Sequence, residues 1–244
     1  MTFFDKNTIL GKINIFIPFI EQKTVLKKVT AKKPFNGFDQ IVYPRDLYRL
    51  TEKLYKENSW AENCQSKGHR YDVGSNIFDI LSKLFYEKKP VDKNEYAKIF
   101  GRENNIRNEK WIRKDYLKTP DNFNYYKIFI PKSNGSGAIG EVLSTPLVGC
   151  TTTFLCIGKF KTKQEANDCL KYIKTKFCRF MLGILKVTQD NTKETWKYVP
   201  LQDFTANSDI DWSKSVSEID KQLYKKYGLS AEEISFIESK VREM

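Results

Sequence analysis

Between Thr162 and Leu185 the chain places Ala166, Cys169, Leu170, Ile173, Phe177, Phe180, Met181, Ile184 and Leu185 at intervals of three and four residues. That spacing gathers them on one face of an α-helix of about six turns. Thr162-x-x-Glu165 ahead of it is a capping box, whose hydroxyl and carboxylate satisfy backbone N–H groups left free at a helix start. Gly183 marks a close packing contact or a bend. So wide an apolar face must be covered by another layer, and the preceding residues offer one. NYYKIFIP, EVLSTPLVG and TTTFLCIGKF are β-branched and aromatic runs punctuated by glycine and proline, which predicts a sheet. Two shorter helices come next: SVSEIDKQLYKKYG, stopped by Gly228, and one opened by the capping box Ser230-x-x-Glu233. The expected fold class is α+β, a mixed or antiparallel sheet with a long packed helix and a helical C-terminal tail.

Upstream the pattern is more broken. Residues 8–30, TILGKINIFIPFI then KTVLKKVT, read as short strands leading to AKKPFNGFD, a turn-rich loop. YPRDLYRLTEKLYKEN carries a one-sided stripe of Leu47, Leu50 and Leu54, SNIFDILSKLFYEKK repeats it with Ile77, Ile80, Leu81 and Leu84, and DKNEYAKIFG ends in a glycine suited to a helix C-cap. Residues 41–105 are therefore expected to form a helical insertion. The expected organisation is a body of residues 1–202 with the tail, 203–244, packed on it. Neither an internal repeat nor a low-complexity linker interrupts the chain.

Charge narrows the function classes. The chain carries a formal +12, yet residues 203–244 hold nine acids against six bases, leaving an excess of +15 on residues 1–202. A basic body with a slightly acidic tail points to a polyanionic partner on the body. The same excess is also what a lysine-rich solvated surface would show. No apolar run is long enough to cross a bilayer, and MTFFDKNTILGK has acidic and polar residues where a signal peptide needs an uninterrupted apolar stretch. A soluble cytoplasmic protein with no membrane partner is the expectation. Five cysteines without a C-x-x-C pair, and the single histidine His69, predict buried free thiols in place of a zinc centre.

Residues 127–146, KIFIPKSNGSGAIGEVLSTP, contain Gly135-x-Gly137-x-x-Gly140 directly after a strand-like run. A dinucleotide or S-adenosylmethionine loop needs a helix immediately after its glycines, because helix N–H groups hold the phosphates. The residues after Gly140 are β-rich and interrupted by Pro146, so no cofactor is expected on this chain. The stretch reads as a loop whose backbone can approach another molecule closely. Enzyme signatures are equally thin. An amino-methyltransferase tetrapeptide of the D/N/S-P-P-Y/F/W type needs a Pro-Pro pair, which the chain lacks. Glu21-x-Lys23, Glu87-x-Lys89 and Glu238-x-Lys240 match the last element of a metal-dependent nuclease, with the latter two expected on helices. No catalytic residue and no metal ligand is expected.

EKWIRKDYLKTPDNFNYYKIFIPKSNGSG interleaves Trp111, Tyr116, Tyr125 and Tyr126 with Lys110, Arg113, Lys114, Lys118, Lys127 and Lys132. Lysine and arginine neutralise phosphates, while amide and hydroxyl side chains on loops reach base edges. Part of the stretch has to fill a core; Arg113, Lys114 and the loop residues Lys132, Ser133, Asn134 and Ser136 are the expected DNA contacts.

KWIRKDYL, NYYKIFIPK, TTTFLCIGKF, KYIKTKFCRF, VPLQDF and EIDKQLYKKYGLSAEEISFIESKV resemble the C-terminal, TaqI-type target-recognition region of adenine-specific DNA methyltransferases and fused restriction-modification proteins. The resemblance spans residues 110–244. AKKPFNGFD is similar to the family's K-P-F-G turn, which adds Lys32, Lys33 and Asn36 to the expected DNA contacts. Residues 41–105 have no counterpart. The family's methyltransferase half, with its cofactor loop and N-P-P-Y-type motif, is missing. The resemblance thus implies sequence-specific recognition of double-stranded DNA, with S-adenosylmethionine and the transfer chemistry held by a methyltransferase domain or subunit. It leaves open a stand-alone specificity chain or a part of a longer one. The competing readings are a divergent Mg-dependent restriction endonuclease and a protein-interaction module with an acidic partner.

Overall fold

The computed structural model describes residues 17, 19–133, 140 and 142–242. In chain order the elements are α1 (Ile20–Ala31), β1 (Arg49–Leu50), α2 (Glu52–Glu57), α3 (Ile77–Ile80), β2 (Tyr96–Glu103), β3 (Ile106–Arg113), β4 (Leu117–Lys118), β5 (Tyr126–Pro131), β6 (Val142–Ser144), β7 (Val148–Cys150) and β8 (Phe154–Phe160). Helices α4 (Lys163–Lys174), α5 (Lys176–Leu182), α6 (Val216–Lys226) and α7 (Ala231–Lys240) complete an α+β fold. Strands β6, β5 and β8 form an antiparallel sheet; β3, β2 and β7 form a mixed one, with β7 parallel to β2; β1 pairs antiparallel with β4. No helix among the described residues is long and apolar enough to cross a membrane.

The β6–β5–β8 sheet is a wall shared by two cores. Alternate side chains of a strand point to opposite faces. Ile128, Ile130, Leu155 and Ile157 accordingly enter one core with α1 and α4 to α7, and Phe129, Phe154 and Cys156 enter the other. The helical core also takes Phe204, Trp212, Leu223, Tyr227 and Ile237, so the C-terminal residues are built into it. Each large apolar side chain removed from water there contributes about 1.5–3 kcal/mol. The second core gathers the short elements of residues 48–86 onto β2, β3 and β7. Cys150, Cys156, Cys169 and Cys178 are buried free thiols.

Several expectations are corrected. KTVLKKVT is helical, in α1: Val25 and Val29, four residues apart, are both buried against α7 and its neighbours, and that packing overrides the β-preference of valine and threonine. Residues 8–16 lie outside the described residues. DKNEYAKIFG is not a helix but the start of β2, with Ala97 and Ile99 buried at strand spacing. Of the stripe of Leu47, Leu50 and Leu54, Leu47 precedes β1, Leu50 ends it and Leu54 is in the six residues of α2, and SNIFDILSKLFYEKK contracts to α3 plus a single 3-10 turn, Ser82–Leu84. Residues 41–105 therefore mix short helices with strands.

The long helix is broken at Thr175, whose ψ of 147° leaves the helical region. Its hydroxyl donates to the Tyr172 carbonyl at 2.7 Å and accepts from Cys178 N at 3.1 Å, ending α4 and capping α5 in one residue. Both pieces still face the same core, which is why the apolar stripe runs on across the break. Gly183 succeeds α5 as its C-cap. The tail is helical as expected, with the expected capping box at Ser230 and Glu233 and a second, not foreseen, at Ser215 and Glu218.

Candidate functional site

A cleft of about 540 Å³ opens where the end of β5, the turn between β7 and β8 and the loop of residues 64–76 converge on the outer part of β2. Backbone bonds fix each wall. Lys132 N donates to the Thr153 carbonyl at 2.8 Å and the Lys132 carbonyl accepts from Asn191 N at 2.7 Å. Thr151 N donates to the Phe100 carbonyl at 3.0 Å and Thr152 N to the Val73 carbonyl at 2.9 Å, tying the β7–β8 turn to both β2 and the opposing loop. The Gln65 amide holds that loop closed by donating to the His69 and Asp72 carbonyls, both at 3.1 Å.

The lining is polar and cationic. Arg45, Arg102 and Lys132 project among Ser66, Ser75, Asn76, Ser133 and Thr153. Asp72 is the one acid among the described lining residues; Arg49 Nη1 lies 2.9 Å from its Oδ1, and its Oδ2 shares a hydrogen bond with His69 Nδ1 at 2.7 Å. No ion pair is made by Arg45, Arg102 or Lys132 among the described residues. The Arg102 Nε is buried without a hydrogen-bond partner. A buried donor left bare is costly, and a bound anion would satisfy it. The arrangement suits an extended polyanion whose phosphates meet the cations and whose other edges meet amides and hydroxyls.

The residues expected at a DNA interface fall in three separate neighbourhoods. Lys32, Lys33 and Asn36 come after α1, beside the tail: Lys32 Nζ lies 5.5 Å from the Tyr227 ring centre, the Lys33–Pro34 peptide is cis, and the Asn36 carbonyl accepts from Leu201 N at 2.8 Å. Arg113 and Lys114 lie at the far end of β3. Arg113 donates to Glu57 and Asp115, each at 2.7 Å, and to Tyr116 at 2.8 Å, and these carboxylates hold the guanidinium pKa above its ordinary value. Lys114 pairs with Glu95 at 2.9 Å. Lys132 and Ser133 alone line the cleft, Ser133 bridging to Asp190. Asn134 and Ser136, like the glycines at 135 and 137, lie outside the described residues. Gly140 is described: a β-carbon there would meet Arg107 Nη2 at 3.2 Å and the Pro131 ring at 3.3 Å.

The Glu-x-Lys matches are dispersed. Glu21 is in the first turn of α1, Glu87 is on a bend and not a helix, and Glu238 is in α7. Glu87 pairs with Lys110 at 3.0 Å and Glu238 with Lys176 at 2.5 Å. No group of three or more His, Cys, Asp or Glu side chains with metal-binding geometry occurs among the described residues.

Arg45 and Arg102 join the site without having been expected there. Reading β2 as a helix hides Arg102; the Asn104-Asn105 dipeptide, which tolerates the left-handed turn of a hairpin, is the signal that exposes it. No protein-family model matches the chain, and no curated protein matches it.

Proposed function

We propose that this chain is a recognition module for double-stranded DNA, bound across the cleft of Arg45, Arg102 and Lys132. The observation that carries the reading is the set of three cations without carboxylate partners, set among amide and hydroxyl side chains, on a chain of net charge +12. Elsewhere the surface cations Lys53, Arg70, Lys98, Arg113, Lys114 and Lys159 are neutralised by acids within the chain. Other cations, Lys56, Lys118 and Lys163 among them, likewise make no ion pair among the described residues, so the cleft differs in gathering three such cations around amides and hydroxyls. The resemblance of residues 110–244 to target-recognition regions supports placing the module in a restriction-modification system. A methyltransferase domain or subunit would then bring S-adenosylmethionine and the transfer chemistry.

Duplex binding at low salt, measured by fluorescence anisotropy, tests this. Wild-type affinity should fall steeply with salt, and Arg45→Ala with Lys132→Ala should flatten the log–log slope by about 0.9 for each phosphate no longer neutralised. Unchanged affinity and slope in the double variant would remove the cleft from the interface. Incubating the protein with Mg²⁺ and plasmid tests the nuclease reading directly; cleavage abolished by substituting Glu21 or Glu87 would establish it.

A further inference from the structure

Strands β2 and β3 pair over eight registers, from Tyr96↔Arg113 to Glu103↔Ile106. Asn104 and Asn105 close the hairpin with φ of 48° and 64°, the two-residue turn with both central residues left-handed. The base of the hairpin is anchored. A β-carbon at Gly101 would meet Thr151 Cγ2 at 2.7 Å and the Phe78 ring at 2.8 Å, so the strand is pressed onto the second core there. Beyond Gly101 the ribbon emerges: residues 104–107 are all exposed, and Ile106 keeps 71% of its surface in water.

The charges on this ribbon are arranged unevenly. Register places Arg102 directly opposite Arg107 on one face. Like charges opposed across a ladder destabilise the pair, and neither arginine forms an ion pair among the described residues. The acids nearby are occupied instead: Glu103 by Lys110 at 2.5 Å and Asn108 at 3.0 Å, Glu109 by Lys98 at 2.9 Å. The arginine face is also the cleft side, since Arg102 lines the cleft and Arg107 Nη2 lies beside Gly140 and Pro131. The opposite face carries Ile106.

We infer that the tip of this hairpin is the reading element, a two-stranded ribbon inserted into the major groove of the duplex held by the cleft. The inference rests on the duplex-DNA reading above and adds where base edges are contacted. From Gly101 outward the ribbon extends about 10 Å at roughly 3.3 Å per residue, with strands about 4.8 Å apart. A major groove about 12 Å wide and about 8.5 Å deep admits such a ribbon. Arg107 presents a forked donor suited to guanine O6 and N7 while Arg102 stays with the phosphates at the cleft, Asn104 and Asn105 present amides suited to adenine, and Ile106 offers apolar contact to a thymine methyl group.

The test is selection from a pool of random-sequence duplexes by the full chain and by the variant Asn105→Gly/Arg107→Ala. Both changes are at exposed positions, glycine retains the left-handed turn, and loss of Arg107 relieves its opposition to Arg102, so the melting temperature should not fall. The wild type should enrich a sequence motif. The variant should still bind the unselected pool within a few-fold of wild type, yet bind the enriched motif at least tenfold more weakly and enrich no motif of its own. If the wild type enriches a motif and the variant enriches it equally, the hairpin is not the reader, while duplex binding through the cleft stands. A wild type that binds the pool but enriches nothing also overturns the hairpin inference. A wild type that binds no duplex overturns both.

Discussion

The Asp220 carboxylate accepts the Phe177 backbone N–H at 2.8 Å, and its other oxygen accepts that of Lys176 at 2.9 Å. A residue of α6 thus satisfies the first free N–H groups of α5, and the negative charge faces the positive end of that helix. Burial outweighs those bonds and pushes the carboxyl up to about 6.

A carboxyl whose pKa is raised in the folded state favours folding most when protonated. Its contribution is complete below the ordinary carboxylate range and is lost as pH rises through about 6. Asp220→Asn removes the titration. Urea unfolding from pH 4 to pH 7 should therefore show the stability gap shifting toward the variant by about 2–3 kcal/mol. A gap that stays constant would mean that Asp220 titrates alike in both states.

Lys127 gives the opposite slope. Its ammonium is fully buried, donating to the Phe123 and Tyr125 carbonyls at 3.0 and 2.9 Å, and burial pulls its pKa down to about 8. The unfolded chain holds that proton up to its ordinary range, so this group's contribution to stability increases as pH rises from about 8 toward 10. Against Lys127→Met, which does not titrate, wild type should gain about 2–3 kcal/mol across that interval in denaturant unfolding. No relative gain would show that water reaches the ammonium.

Arg113→Ala separates holding the fold from holding DNA. The side chain joins β3 to Glu57 of α2 and to Asp115 and Tyr116. Its removal should lower stability by about 1–2 kcal/mol, a figure reduced by solvent screening of the pairs. Duplex affinity at low salt should stay within a few-fold of wild type. A large loss of affinity with unchanged melting would return Arg113 to the interface.

The elements legible in the sequence are those whose signals are local. Ser230 and Glu233 are three residues apart and cap each other as their spacing requires. The alternation of Phe129, Ile130, Leu155 and Cys156 marks strands, though not that both faces are covered. Tyr96, Ile99 and Phe100 fit a helical spacing of three and four as well as they fit a strand; pairing with β3 decides between them. The site is harder to see because charge pairing is non-local. Asp115, two residues on, is a partner for Arg113 that the sequence offers, but Glu57, which also holds it, is 56 residues upstream. Arg45 and Lys132 are distant in sequence and carry no shared motif, and the fold brings them to one cleft beside the 64–76 loop.

The central sheet, apolar on both sides, has a consequence for dissection of the molecule. Excising either the helical portion or the β2–β3 portion would strip one face of β5 and β8 and present a row of isoleucine or phenylalanine to water. The chain should accordingly melt in a single cooperative step, and a shortened version carrying only the reading ribbon would aggregate before it could bind.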